Sequence, residues 1–166
     1  LVKEINSSMN KPATEFLYRR FPKEKQKQFS IGILKQLQYD FDAGRLDETV
    51  HPFEITINNK DVRITTRYDE QDFRTAVFGI IHECGHAVYE QNIAEELIGT
   101  GLAKGTSMGI HESQSLFHEI FIGRNYHFWE KNYDELRKAA PEQFGDVPLE
   151  DFYRAINESK PSLIRI

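Results

Sequence analysis

Apolar positions recur at helical spacing in three long stretches of the chain. The first covers residues 22–43, and Gly44 is placed to end that helix. The second covers residues 70–92, where the density of apolar residues predicts a helix buried on more than one side. The third covers residues 107–139 and stops before Pro141. The pattern predicts a mainly α fold in which the second and third helices pack side by side.

Alternating apolar and polar positions predict one β-hairpin between the first two helices. Phe53–Ile57 and Val62–Tyr68 each alternate, and the four residues between them have turn chemistry. We therefore expect a hairpin over residues 53–68, at the edge of the groove that the helices form. We also expect four aromatic side chains of the third helix in the core: Phe117, Phe121, Phe128 and Trp129.

Composition limits the classes of function. The 166 residues are 39 % hydrophobic, which suits one domain with a real core. The net charge of −5 argues against a surface that binds nucleic acid or anionic membranes. The sequence shows neither a membrane span nor a signal peptide. The single cysteine, Cys84, excludes an internal disulfide, favours a cytoplasmic location and is expected to be a buried filler.

The second helix carries an HExxH motif, His82-Glu83-Cys84-Gly85-His86. Spacing i, i+4 stacks the two imidazoles on one helix face, where both can bind one divalent ion. Glu83 is rotated from His82 by about 100° and lies beside the ion, where it can take a proton from water. The alternative is an ordinary helix whose histidines have no metal to bind.

A peptidase site of this kind needs a third protein ligand and an open fourth position. The best candidate is Glu112, near the start of the third helix, where it can face the HExxH helix. Glu112 could instead be a carboxylate that favours the positive end of the helix dipole. His111 is a rival ligand, but adjacent helical residues point about 100° apart, so only one of the two should reach the ion.

Four motifs in a fixed order resemble the carboxypeptidase Taq family of metal-dependent carboxypeptidases. The likeness covers most of the chain from His51 onwards. The motifs are His51-Pro52-Phe53, Asp61-Val62-Arg63-Ile64-Thr65, the HExxH motif and His111-Glu112-Ser113-Gln114. Proteins of the family are much longer, so the resemblance implies that residues 1–166 form the central catalytic segment of a partial zincin-like fold.

The resemblance also implies roles for individual residues. It gives three metal ligands and one general acid/base: His82, His86, Glu112 and Glu83. It places His51 and Arg63 near the active-site groove, where Arg63 could instead form a cross-strand ion pair. Arg165 resembles the first arginine of a family motif and suits a substrate carboxylate, unless it is a surface charge. His111 remains a candidate for contact with substrate or oxyanion.

The implied activity is that of a metallocarboxypeptidase, which releases C-terminal residues from peptides with a free C-terminus. The expected cofactor is one divalent metal ion, zinc in the first place and cobalt as the alternative. A related helical oligoendopeptidase and a metal-binding fragment without turnover remain alternatives. We expect exposed apolar surface where further segments would dock, which could also drive homodimerisation.

Overall fold

The structure, a computed structural model, describes residues 2–7 and 11–159. Its helices are α1 (Val2–Ser7), α2 (Lys23–Gln36), α3 (Phe73–Gln91), α4 (Met108–Leu116), α5 (Tyr126–Ala139), α6 (Pro141–Phe144) and α7 (Leu149–Ile156). Its strands are β1 (Leu46–Glu48), β2 (Glu54–Asn58) and β3 (Asp61–Thr66). Two 3-10 turns, Glu15–Tyr18 and Glu95–Leu97, and a π-helical turn, Phe117–Ile122, complete the elements. The expected mainly α class is confirmed. Within the described residues, no helix has the length and apolarity that a bilayer crossing requires.

The first predicted helix is shorter than residues 22–43. Helix α2 ends at Gln36 because Gln38 adopts a left-handed backbone with φ 68°, which turns the chain out of the helix. Tyr39 then donates its hydroxyl to the carbonyl of Val62 at 2.8 Å. Gly44 does not end a helix, since α2 stops at Gln36, and its missing side chain instead lets the loop pass close to the Val62 carbonyl oxygen. The segment after α2 is therefore a loop held against strand β3.

The predicted hairpin is present as the antiparallel pair β2–β3. It belongs to a three-stranded sheet of order β1-β3-β2, in which β1 runs parallel to β3. Strand β1 is only three residues long and mostly polar, which explains why alternation could not reveal it. Opposite residues share one face of the sheet, so Glu54 lies beside Ile64, while Ile55 and Arg63 share the other face.

Helix α3 is buried on two sides, as its apolar density predicts. One side enters a large aromatic cluster through Phe73, Val77, Phe78 and Ile81, and this cluster includes Trp129, Phe144 and Phe152. The other side packs on the sheet through Ile80, Cys84 and Ala87, against Val62 and Ile64. Each fully buried aliphatic or aromatic side chain contributes roughly 1.5–3 kcal/mol. The HExxH motif therefore lies on a helix that the core holds firmly.

The third predicted helix is not continuous over residues 107–139. Helix α4 continues into the π-helical turn, the helical conformation ends after Ile122, and α5 begins at Tyr126. Asn125 caps α5, because its side chain accepts a hydrogen bond from the backbone N–H of His127. The indole N–H of Trp129 donates to the Gly123 carbonyl at 2.7 Å and holds the break in place.

Candidate metal centre

Helix α3 presents the two histidines of the HExxH motif on the same face. Asp72 caps the helix by accepting a hydrogen bond from the Arg74 backbone N–H. The side chains of His82 and His86 are 13 % and 12 % exposed, so both are largely shielded from solvent. Glu83, which follows His82 in the sequence, is buried, with 8 % of its surface exposed. The motif thus forms a shielded polar patch on a core helix.

Glu112 reaches this patch from α4. Its Oε2 atom lies 3.6 Å from His82 Nε2 and 3.3 Å from His86 Nε2. One donor atom from each of the three residues lies within 4.8 Å of the others. The Ser115 hydroxyl donates to the Glu112 backbone carbonyl at 2.7 Å and lies 3.2 Å from the same Oε2 atom. The three residues proposed as ligands from the sequence are therefore brought together.

The donor set fits a zinc-type ion in both chemistry and spacing. Two histidines and one carboxylate are a common ligand set of catalytic zinc sites, which keep a fourth position open. Ligand atoms about 2.0–2.1 Å from a tetrahedral ion lie roughly 3.4 Å apart, close to the Glu112–histidine distances. The Glu112 side chain is 49 % exposed, so one side of the site is accessible to water or substrate.

His111 does not contribute a fourth donor atom, although it contacts His86 through the other nitrogen of that ring. Its Nδ1 atom lies 2.5 Å from His86 Nδ1, and its Nε2 atom lies 2.8 Å from Glu90 Oε1. A carboxylate only accepts, so His111 Nε2 carries a proton and, in the neutral ring, His111 Nδ1 accepts one from His86. This arrangement leaves the His86 Nε2 lone pair directed at the site. His111 therefore contacts one of the three converging residues and does not take the place of Glu112.

The two histidines differ in electrostatic environment. Burial and the neighbouring imidazoles of His111 and His82 lower the pKa of His86 to about 4. Burial also acts to lower the pKa of His82, but a hydrogen bond to Glu119 and nearby carboxylates outweigh it, and the pKa of His82 is raised. His86 is consequently neutral at neutral pH and ready to bind an ion.

Two clefts meet at the site. One, of about 410 Å³, is lined by side chains that include His51, Arg67, Arg74, His82, Glu83 and Arg124. The other, of about 380 Å³, is lined by Phe53, Glu54, Glu83, His86, Met108 and His111. Glu83 lines both clefts, so its carboxylate lies at the junction between them. A molecule in either cleft can therefore contact this carboxylate.

The remaining sequence-predicted residues have different locations. His51 is exposed and lines the first cleft. Arg63 was expected near the groove, but it pairs with Asp61 of its own strand through two contacts of 2.7 Å. Ile64 packs towards α3, and Arg63 lies on the other face of the sheet. The structure does not bring Arg63 to the metal ligands. Arg165 lies outside the described residues.

Sequence reasoning missed several charged residues around the site. Glu119, Glu90 and Glu54 contact the histidines, and Arg67 lines the first cleft. Each of the three glutamates lies on a different element from the histidine that it contacts. Two of them carried a spacing signal, since Glu90 stands one helical turn after His86 and Glu119 stands about two turns after Glu112.

A mainly α fold with two histidines of an HExxH helix and a glutamate of the adjacent helix is typical of helical metallopeptidases. The chain belongs to the carboxypeptidase Taq (M32) metallopeptidase family, whose model matches residues 1–166. This confirms the resemblance carried by the four motifs.

Curated relatives give the same assignment. The chain is 66 % identical to carboxypeptidase 1 of Bacillus subtilis (strain 168) over 166 residues, which are 100 % of this chain and 33 % of that protein. It is 46 % identical to thermostable carboxypeptidase 1 of Thermus thermophilus over 166 residues, 100 % of this chain and 32 % of that protein. The chain thus spans about a third of the length of these relatives.

A solved structure shows that the fold is shared as well. The M32 carboxypeptidase from Deinococcus radiodurans R1 superimposes with a TM-score of 0.88 at 42 % sequence identity. The match covers 94 % of this chain and 31 % of that chain. The fold described above is therefore one part of a larger carboxypeptidase structure in that relative.

Proposed function

We propose that this chain is the central catalytic segment of a metal-dependent carboxypeptidase. The observation that carries the proposal is the convergence of His82 Nε2, His86 Nε2 and Glu112 Oε2, with Glu83 at the junction of two clefts. Membership of a metallopeptidase family and the carboxypeptidase names of the relatives support it. The proposed ion is zinc, with cobalt as the alternative.

The residues of this chain divide the chemistry among them. When bound, the ion would supply a Lewis acid that acidifies a water molecule and polarises the scissile carbonyl. His82, His86 and Glu112 would hold the ion, and the exposed side of Glu112 would leave room for substrate. Glu83 takes the proton from the attacking water and gives it to the departing amine. The low exposure of Glu83 keeps competing bulk water away from that proton.

An exopeptidase must also recognise the free carboxylate of its substrate. Three guanidinium groups line the cleft that holds His82 and Glu83. Asp72 engages Arg74 through two contacts of 2.7 Å, and the Ile156 carbonyl accepts from Arg124 at 2.5 Å. Arg67 makes no hydrogen bond or ion pair with the part of the chain that the structure describes. This cation favours a peptide terminus in the cleft over the middle of a peptide.

Replacement of the general base tests the proposed chemistry. In the full-length protein that contains this chain, Glu83→Gln should retain the bound ion and lose at least about 10²-fold in kcat, because general acid–base catalysis is worth that much. Metal content by elemental analysis and release of C-terminal amino acids measure the two effects. Glu96→Gln, at an exposed position, is the control. Turnover at the parent rate in Glu83→Gln would remove Glu83 from the mechanism.

The choice between exopeptidase and oligoendopeptidase needs a different experiment. A peptide and its C-terminally amidated form should be hydrolysed at very different rates, because the amide offers no carboxylate to a guanidinium. Mass spectrometry of the products identifies the bond that is cut. Equal rates with internal cleavage would assign the site to an oligoendopeptidase.

A further inference from the structure

We propose that Glu119, held by Arg124, is a positioning residue that fixes the orientation and the tautomer of His82 for metal binding. The inference rests on the proposed function, because it concerns the same metal centre. It assigns a role to the π-helical turn, Phe117–Ile122, which carries Glu119 and which interrupts the helix expected from the sequence.

Each of the two ring nitrogens of His82 faces a different carboxylate. Its Nδ1 atom lies 3.0 Å from Glu119 Oε2, and its Nε2 atom lies 3.6 Å from Glu112 Oε2. A carboxylate only accepts, so the Nδ1–H of the neutral ring donates to Glu119. The lone pair then resides on Nε2, which is the atom that faces Glu112. Glu119 thereby selects the nitrogen that binds the ion.

Glu119 is itself held in place. Its side chain is 19 % exposed, and its Oε1 atom lies 3.4 Å from Arg124. Arg124 donates to the carbonyl of Ile156 at 2.5 Å, and its guanidinium lies 4.5 Å from the centroid of the Phe78 ring. Three separate contacts thus fix the guanidinium. A carboxylate braced in this way resists rotation, which makes it a suitable partner for a metal ligand.

His86 is supported differently, and the comparison shows why Glu119 is informative. The Nδ1 atom of His86 contacts the imidazole of His111, and it is His111 that contacts a carboxylate, that of Glu90. His82 meets a carboxylate directly. A negative group on Nδ1–H raises the basicity of the ligand nitrogen, so the direct contact should strengthen the bond of His82 to an ion.

The helical geometry allows one segment to serve both edges of the ring. Glu112 and Glu119 are seven residues apart, which places them on the same face about two turns apart. The π-helical turn begins between them, and such turns are often found at functional sites. Helix α4 and the π-helical turn therefore enclose His82 between a proposed ligand and its supporting carboxylate.

Two substitutions and one matched control test this role in the full-length protein that contains this chain. Glu119→Ala removes the acceptor, whereas Glu119→Gln keeps an oxygen but removes the charge. The control is Glu130→Gln, because Glu130 pairs with His127 at 3.1 Å on an exposed surface. We expect the Kd for zinc, measured by competition with a chelator, to rise about 10- to 100-fold in Glu119→Ala. The rise should be smaller in Glu119→Gln and absent in Glu130→Gln.

A second readout separates positioning from general stability. In the metal-free protein, at a pH above the raised pKa of His82, nitrogen chemical shifts should report the Nδ1–H tautomer of His82 in the parent and a shift towards Nε2–H in Glu119→Ala. Thermal unfolding of the metal-free variants checks the fold; if Glu119→Ala unfolds at a lower temperature, a rise in its zinc Kd supports the inference only where the His82 tautomer has changed too, because a general loss of stability does not select a tautomer. A zinc Kd of Glu119→Ala within twofold of the parent, or an unchanged His82 tautomer in that variant, overturns the inference. Absence of zinc binding in the parent would instead overturn the proposed function.

Discussion

Gly85 determines how closely α4 can approach the HExxH helix. A Cβ atom at Gly85 would lie 2.6 Å from the carbonyl oxygen of Gln114 and 2.7 Å from the Cα atom of Ser115. Both contacts are with backbone, which cannot rotate away as a side chain can. Since Glu112 is on the same helix as Gln114, the missing side chain at Gly85 is what allows Glu112 to reach the two histidines.

Gly85→Ala should therefore destabilise the protein and weaken metal binding together. Overpacking costs about 1–3 kcal/mol, and displacement of α4 moves Glu112 away from the ligand histidines. Gly79→Ala on the same helix is the control, because nothing lies within 4 Å of a Cβ there. That change should be neutral or stabilising by about 0.5–1 kcal/mol. Urea unfolding and zinc titration measure both variants; equal stability of the two would refute the packing argument.

Motif spacing predicts the histidines well because both belong to one rigid helix. The relation between His82 and His86 depends only on helical geometry, so the sequence contains it. Glu112 needed the approach of a second helix, for which family motifs provided the signal. Glu119 shares a helix face with Glu112 through its spacing, but its contact with His82 depends on packing between elements, and so does the position of Arg67. Local spacing alone could therefore not place these two side chains at the site.

At the scale of elements, the predicted bounds of the first and third helices were wrong where a helix ends without a proline in the sequence to stop it. The stretch over residues 107–139 keeps a helical apolar pattern, so it predicts one helix, yet the helix is interrupted at residues 123–125. The break is stabilised by tertiary contacts, including the indole of Trp129 on Gly123. The first helix ends early for a similar reason, since Tyr39 bonds to strand β3. Periodicity reports which residues share a face and not where tertiary contacts stop the helix.

The start of α4 is controlled by one exposed cap. The hydroxyl of Ser107 accepts a hydrogen bond from the backbone N–H of Ile110 at 3.2 Å. Helix α4 has only nine residues, so its first turn is a large part of it. Ser107→Ala should lower the free energy of unfolding by about 1 kcal/mol, as measured by urea denaturation. Ser107→Asp should keep most of that stability, because a carboxylate also caps and favours the helix N-terminus. Similar losses in both variants would show that the cap is not important.

At the scale of the whole molecule, the apolar surface is unevenly distributed. Trp129 is fully buried as predicted, but Phe117 and Phe121, also expected in the core, are 51 % and 69 % exposed. Their rings stack with centroids 5.9 Å apart, and Ile120 beside them is 48 % exposed. The π-helical turn thus has a functional side towards His82 and an apolar side towards solvent. In relatives three times as long, further polypeptide is available to cover such a face.

The 166-residue chain on its own should consequently self-associate through this face. Burial of one phenylalanine is worth roughly 1.5–3 kcal/mol, so Phe121→Ser should weaken association by about tenfold or more. Leu102→Ser is the control, because Leu102 is 70 % exposed in a loop outside the face. Sedimentation velocity over a concentration series measures both variants. In the full-length protein, the same Phe121→Ser change should lower the temperature of unfolding, since the ring would be covered there. A parent chain that stays monomeric at every concentration would contradict the prediction.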